Sequence, residues 1–301
     1  MRKTYFILML VLILLLNACT TKDQKTNHLN SAAAKEVYLG QKPPGLTAEV
    51  FTPNTSSKEG WELGEIHKPD MEEFYFTSSL GTSFQEAPFR PRVIVFRKEN
   101  RVWKKYAFSA TDCSPDGNIL YLENKYIERT DTGWSEIKSL GKSYEDIPIM
   151  RLTTSSRDTH VFDEFTRDGN GVLRYSQVVN GKREAPKPLD KVINTGKWNA
   201  HPFIAPDESY ILWDSEREGG YGDNDLYISF KQKNGSWGPA INLGAQINSV
   251  VEENSARVTP DGKYLFFWRA DEKTREDGSK YWVASRHWVS TQVIENLRPK
   301  N

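Results

Sequence analysis

The chain has 301 residues, with 40 Lys and Arg against 40 Asp and Glu, a formal net charge of zero and a pI near 7.0. It therefore lacks the basic excess with which a nucleic-acid binder neutralises phosphate, and that class is set aside. Aromatic residues at 12%, with nine Trp, suit thin sheets packed face to face, and the two cysteines, Cys19 and Cys113, are too few for a Cys-based zinc site.

At the start, Arg2 and Lys3 precede an apolar run from Tyr5 to Leu16. About a dozen residues is short of the ~20 that span a bilayer and fits a secretory leader. The run ends in Leu16-Asn17-Ala18-Cys19, which is similar to a bacterial lipobox, where the leader is cut before Cys and the thiol is lipidated. Two or three acyl chains, at ~0.8 kcal/mol per buried methylene, hold such a chain on a membrane. Thr20 follows in place of Asp, so the outer membrane is expected over the inner one. A lipidated Cys19 leaves Cys113 alone, with no intramolecular disulfide, as a small buried filler. Residues 20–44 are polar and read as a tether, with one helical turn around Ala32 to Val37.

Residues 45–301 repeat a set of landmarks. A turn recurs as His67-Lys68-Pro69-Asp70, Ser114-Pro115-Asp116-Gly117, Ala205-Pro206-Asp207-Glu208 and Thr259-Pro260-Asp261-Gly262. Pro presets φ and Asp bonds the backbone two residues on, so the chain reverses at each. An apolar strand follows every time: Phe74 to Phe76, Ile119 to Leu122, Tyr210 to Trp213 and Tyr264 to Trp268. A degenerate copy without Pro-Asp lies at Thr153 to Phe165. A fourth-strand landmark recurs at Val102-Trp103, at Gly133 to Glu136 with Leu140-Gly141, at Glu184 to Pro186 with Leu189, and at Trp237 with Leu243-Gly244.

The most complete copy is His201 to Gly244. It reads as four short strands, with Asn234-Gly235 as a hairpin turn between the last two. The spacing of about 42 to 54 residues is that of propeller blades. We therefore expect an all-β fold, a single β-propeller of five blades, or six if Asn124 to Gly133 holds another. The last copy ends on Tyr281 to Ser285 and a short helix, Thr291 to Leu297, without a fourth-strand landmark. Leu46 to Pro53 fits that vacancy and is expected to close the last blade, which removes the open sheet edges.

The Ser-Pro-Asp-Gly turns, IAPDESY, PDGKYLFF and GGYGDNDLYISF resemble the PD40, or WD40-like, propeller repeats, which also occur in TolB and in many bacterial envelope lipoproteins. The resemblance covers roughly residues 45 to 290 and is strongest in the last two copies. It implies a propeller in the cell envelope and carries over no catalytic residue, because the repeat is a structural pattern.

Glu62, Asn199 and Glu253 each stand seven residues before the turn Pro. Glu145 takes the same place if Pro148 is matched to Pro202, and Asp112 is the nearest acid in the second copy. Innermost strands line a propeller's channel, so these side chains are expected around one mouth of it. There they would hold a cation or sugar hydroxyls, or satisfy backbone donors between neighbouring blades. His201, beside them, is either a ligand or a packed, hydrogen-bonded residue. Asp70, Asp116, Asp207 and Asp261 repeat at turns and are assigned to turn geometry. Asp223-Asn224-Asp225 lacks the calcium-loop series and reads as a turn before a strand. Tyr221 and Trp288 are candidates for stacking on sugars.

No metal or cofactor is called for. The first functional expectation is a non-enzymatic, monomeric outer-membrane lipoprotein that presents its propeller to an envelope protein, peptidoglycan or another glycan. The alternative is a glycan-active hydrolase using two of Glu62, Glu145 and Glu253. That chemistry needs carboxyls about 5–5.5 Å or 6.5–9.5 Å apart.

Overall fold

The computed structural model describes residues 38, 41–51, 61–67, 73–79, 91–99, 102–108, 112–131 and 133–300. In 61–67, 73–79, 91–99, 102–108, 112–113 and 133–134 it is the backbone that is described. The chain falls into two compact units, Met1–Pro43 with Thr52–Ser56 and Pro44–Phe51 with Ser57–Asn301. In the first, Gln41 N–H donates to Tyr38 O at 3.2 Å. Cys19 and the helical turn expected around Ala32 lie outside the described residues. No helix among the described residues is long and apolar enough to cross a membrane.

The second unit is an all-β propeller of antiparallel sheets. The first sheet runs Trp61–His67, Glu73–Ser79, Pro91–Glu99 and Val102–Phe108 in spatial order. The second runs Asp112–Cys113, Ile119–Leu122, Lys125–Thr130 and Lys138–Ser139, with Gly133–Trp134 also paired to its third strand. The irregular Asn124 to Gly133 stretch thus lies inside this sheet. The third comprises Leu152–Thr154, His160–Asp163, Leu173–Ser176 and Lys187–Pro188, with a separate ribbon of Val178–Val179 and Lys182–Arg183. The fourth is Lys197–Ile204, Tyr210–Glu216, Asp225–Phe230 and Ile241–Asn242. In the fifth, Glu252–Val258, Tyr264–Thr274 and Lys280–Ser290 are followed by Glu49–Val50, and the helix Gln292–Leu297 comes after its third strand.

The second strand of the fourth sheet is apolar on both faces because it packs against the third and fifth sheets. In Tyr210–Glu216 the side chains alternate. Ile211 and Trp213 join Val161, Leu173 and Ile193 on the side of the third sheet. Tyr210 and Leu212 join Leu265, Phe267 and Val289 on the side of the fifth. Tyr121, Tyr144, Leu152 and Phe162 fill the same role between the second and third sheets. Burying each such aliphatic or Phe side chain is worth about 1.5–3 kcal/mol.

Glu49 pairs with Trp288 and Val50 with His287, and Phe51 N–H donates to Arg286 O at 2.8 Å. The ring of Phe51 is buried edge-on, 5.0 Å from both Phe266 and Trp288.

The turn aspartates behave as turn residues. Asp116 accepts Ser114 Oγ at 2.5 Å and Asn118 N at 3.0 Å. Asp261 accepts Thr259 Oγ1 at 2.6 Å, and Asp207 accepts Ser209 N at 3.0 Å. Asp70 lies outside the described residues. Where two of these turns have Gly117 and Gly262 at φ 70 and 72, the turn of the fourth sheet has Glu208 at φ 64. Its buried carboxylate accepts Ser155 Oγ at 2.8 Å and Thr159 Oγ1 at 2.6 Å, tying this turn to the third sheet.

The expected fourth strand, Ser236 to Gly244, is shorter than its sequence suggests. Only Ile241–Asn242 pairs as a strand, with a single bridge at Lys231 and Trp237. Pro239 lacks the N–H that a continuous ladder needs, and Gly238 adds freedom to the break.

A candidate site where the first strands begin

The first strands of three sheets slip register near their starts. The shifts fall between Glu62 and Glu65, between Lys197 and Phe203, and between Asn254 and Arg257. Within them Trp198, His201 and Ser255 take left-handed φ values of 52, 45 and 55. L-residues resist that region, so something must hold each one there.

For His201 and Ser255 the hold is a carboxylate from the preceding sheet. Asp163 ends the second strand of the third sheet and is fully buried. It accepts Met150 N at 2.8 Å and Arg151 N at 3.0 Å on one oxygen, and His201 N at 2.9 Å on the other. Asp214 holds the corresponding place in the fourth sheet and accepts Ser255 N at 3.0 Å. Its oxygens also lie 3.0 and 3.1 Å from His201 Nδ1. Each aspartate thus joins one sheet to the next through a bulged backbone N–H.

Electrostatics follow from this packing. Burial pushes the Asp163 carboxyl above the usual range, and His201 and the three backbone donors pull against it. Burial works against a charged His201, but Asp214 and then Asp163 outweigh it despite Arg151, and its pKa rises to about 9. His201 is therefore an imidazolium at neutral pH, its Nδ1–H donating to Asp214. Glu252, half-buried, is raised by burial and by Asp214 and Asp223, with Asn254 and His201 opposing.

The residues singled out in the sequence scatter. Glu62 sits on the first strand of its sheet opposite Ser78, and Asp112 opposite Tyr121, with their side chains outside the described atoms. Glu145 does not lie on a first strand. It follows the 3-10 turn Lys142–Tyr144, exposed, upstream of the strand Leu152–Thr154. Matching Pro148 to Pro202 misplaced it, because the third copy has no Pro-Asp turn to anchor the alignment.

Glu253 is wholly buried and turned into its own sheet. It accepts Ser249 N at 2.7 Å, Ser249 Oγ at 2.5 Å and Arg269 Nε at 2.7 Å. Asn199 is buried, and its Oδ1 has no hydrogen-bond partner among the described residues. His201 alone of the named set joins the charged cluster. Arg151, Asp163, Asp214 and Glu252 complete it, and sequence reasoning missed all four.

Trp288 is fully buried, so it offers no stacking surface, whereas Tyr221 is 46% exposed. Asp225 accepts Tyr221 N and Asn242 Nδ2, both at 2.8 Å, as a turn residue would. Among the described residues no group of three or more His, Cys, Asp or Glu is placed to hold a metal ion.

No protein-family profile matches the chain, and no curated protein matches it. Solved structures do resemble it at low identity. TolB from Acinetobacter baumannii aligns at 14% identity and TM-score 0.44, over 80% of this chain and 58% of that one. A putative 6-phosphogluconolactonase from Bacteroides uniformis aligns at 15% and 0.35, over 73% and 83%. The propeller domain of the trilobed protease from Pyrococcus furiosus aligns at 12% and 0.32, over 76% and 69%. This chain thus spans less than two thirds of the TolB structure's length.

Proposed function

We propose that the chain is a non-enzymatic binding propeller of the PD40 type, lipid-anchored through Cys19 at the bacterial outer membrane. In this reading it presents its propeller to an envelope protein, peptidoglycan or another glycan. Five blades are proposed, the last completed by the strand at Glu49–Val50. Five sheets of four or five strands among the described residues and the Glu49 to Trp288 pairing support that count. The lipobox-like Leu16 to Cys19 supports the anchor.

The observation that carries the binding reading is the state of the carboxylates. Hydrolysis of a glycoside needs an acid and a second carboxylate on either side of an open cleft. Glu253 is sealed against Ser249 and Arg269, Asp163 against three backbone N–H groups, and Glu145 stands apart on an exposed turn.

The test is affinity capture by the full-length chain from detergent-solubilised envelopes, with reducing-end release measured on the same glycan fractions. A retained partner or glycan without release is expected. Sustained release of reducing ends would overturn the reading.

A further inference from the structure

His201 is held on one side only. Nδ1 donates to Asp214, while Nε2 makes no hydrogen bond among the described residues, and 26% of the side chain is exposed. Across from it, on the first strand of the fifth sheet, Glu252 is similarly half-engaged. One oxygen takes Asn254 Nδ2 at 2.7 Å, and the other has no partner among the described residues. The two strands are joined at this point, because Ser255 N–H and the His201 ring share the Asp214 carboxylate. Trp198 stands three residues before His201 on the same strand, within ~10 Å by chain reach. Its indole lies against Gly169, where an added Cβ would come within 2.6 Å of the ring, and 37% of the residue is exposed. Asn199, between them, keeps a buried oxygen unpartnered among the described residues.

Charge narrows what such a cluster accepts. A bound anion would face the carboxylate of Glu252, and a bound cation the ring of His201. A neutral polyol faces neither repulsion. Each hydroxyl both donates and accepts, so adjacent hydroxyls match an N–H donor beside a carboxylate. The flat indole suits the apolar face of a pyranose ring, and an apolar surface with few placed polar groups is the usual make-up of a ligand site. The left-handed φ at Trp198 and His201 places strain in this same stretch, where binding sites concentrate it.

We infer that this cluster is a binding site for a neutral saccharide, with a vicinal diol held between His201 Nε2–H and Glu252 and a sugar ring stacked on Trp198. The inference rests on the binding-propeller reading and names the ligand class and the residues that read it.

The test is a calorimetric titration of the full-length chain in detergent with triacetylchitotriose, cellotriose, maltotriose and mannotriose. At least one is expected to bind, with Glu252→Gln and Trp198→Ala each weakening it by about tenfold, the worth of one charged hydrogen bond or one lost stacking surface. Glu252→Gln is close to isosteric and its one hydrogen-bond partner here is Asn254, so it keeps the fold. A Lys138→Ala control, at an exposed ion pair on the second sheet, should leave binding unchanged. Binding unaffected by either site variant would overturn the inference. So would no binding by any of the four trisaccharides. If the chain still captures an envelope protein in that case, the saccharide site falls and the binding-propeller reading stands. If it captures nothing, both fall.

Discussion

At the scale of single residues, the carboxylates near the first strands divide by what they touch. Glu253→Gln removes the charge facing Arg269 and turns an amide donor toward Ser249 N–H or Arg269 Nε, both of which need acceptors. Leaving a buried donor without its acceptor costs about 1–3 kcal/mol, so the variant is expected to unfold below the wild type in a thermal melt. His201 gives a pH signature. Its folded pKa of about 9 lies above its ordinary 6.5, so its pairing with Asp214 stabilises fully below pH 6.5. That contribution declines as pH rises and is gone above about 9. The loss of unfolding midpoint between pH 6.5 and 9.5 should be greater in the wild type than in His201→Gln. Equal losses would contradict the assigned charge. Asn199 and Glu253 stood out in the sequence by their fixed spacing to the turn Pro, and His201 by lying beside Asn199. Asp163 and Asp214 did not, although each closes an apolar run, Val161-Phe162 and Leu212-Trp213. A carboxylate in register with core residues must be satisfied. The partners across the sheet boundary, however, lie 38 and 41 residues further on.

At the scale of elements, the Pro-Asp turns were legible because their cause is local. The side chain of Asp116, Asp207 or Asp261 caps a backbone N–H two residues away. The bulges of the first strands were not legible, because at His201 and Ser255 they answer to carboxylates in a neighbouring sheet and leave no period in the sequence. The third copy was legible only as degenerate, since Ser156-Arg157 stand where the other copies have Pro-Asp, and the flanking Ser155 and Thr159 bond instead to Glu208 of the fourth sheet. A prediction at this scale concerns the indole that rests on Gly169. Gly169→Ala places a Cβ against Trp198 and strains a residue at φ +72. It should cost about 1–3 kcal/mol and shift Trp198 fluorescence, with the remaining Trp emission unchanged.

For the whole molecule, the second to fifth sheets share cores in succession among the described residues, and Glu49–Val50 pairs onto the fifth. Glu49–Val50 brings Phe51 onto Phe266 and Trp288. Phe51→Ala should therefore cost about 3–5 kcal/mol although it lies more than two hundred residues from its partners, a melting shift of roughly 6–20 °C for a domain of this size. The sequence pointed to this pairing through a missing fourth-strand landmark at one end and a spare strand at the other. The sheet-to-sheet contacts themselves follow from tertiary packing and have no sequence signature. The claim on which the account turns is that the aspartates beside the first strands join sheets. Thermal unfolding of Asp163→Asn tests it most directly. The asparagine Nδ2 would face N–H donors that now bond to carboxylate oxygen, so the midpoint should fall by roughly 4–12 °C, the equivalent of about 2–3 kcal/mol. An unchanged midpoint would contradict it and make Asp163 available for another role.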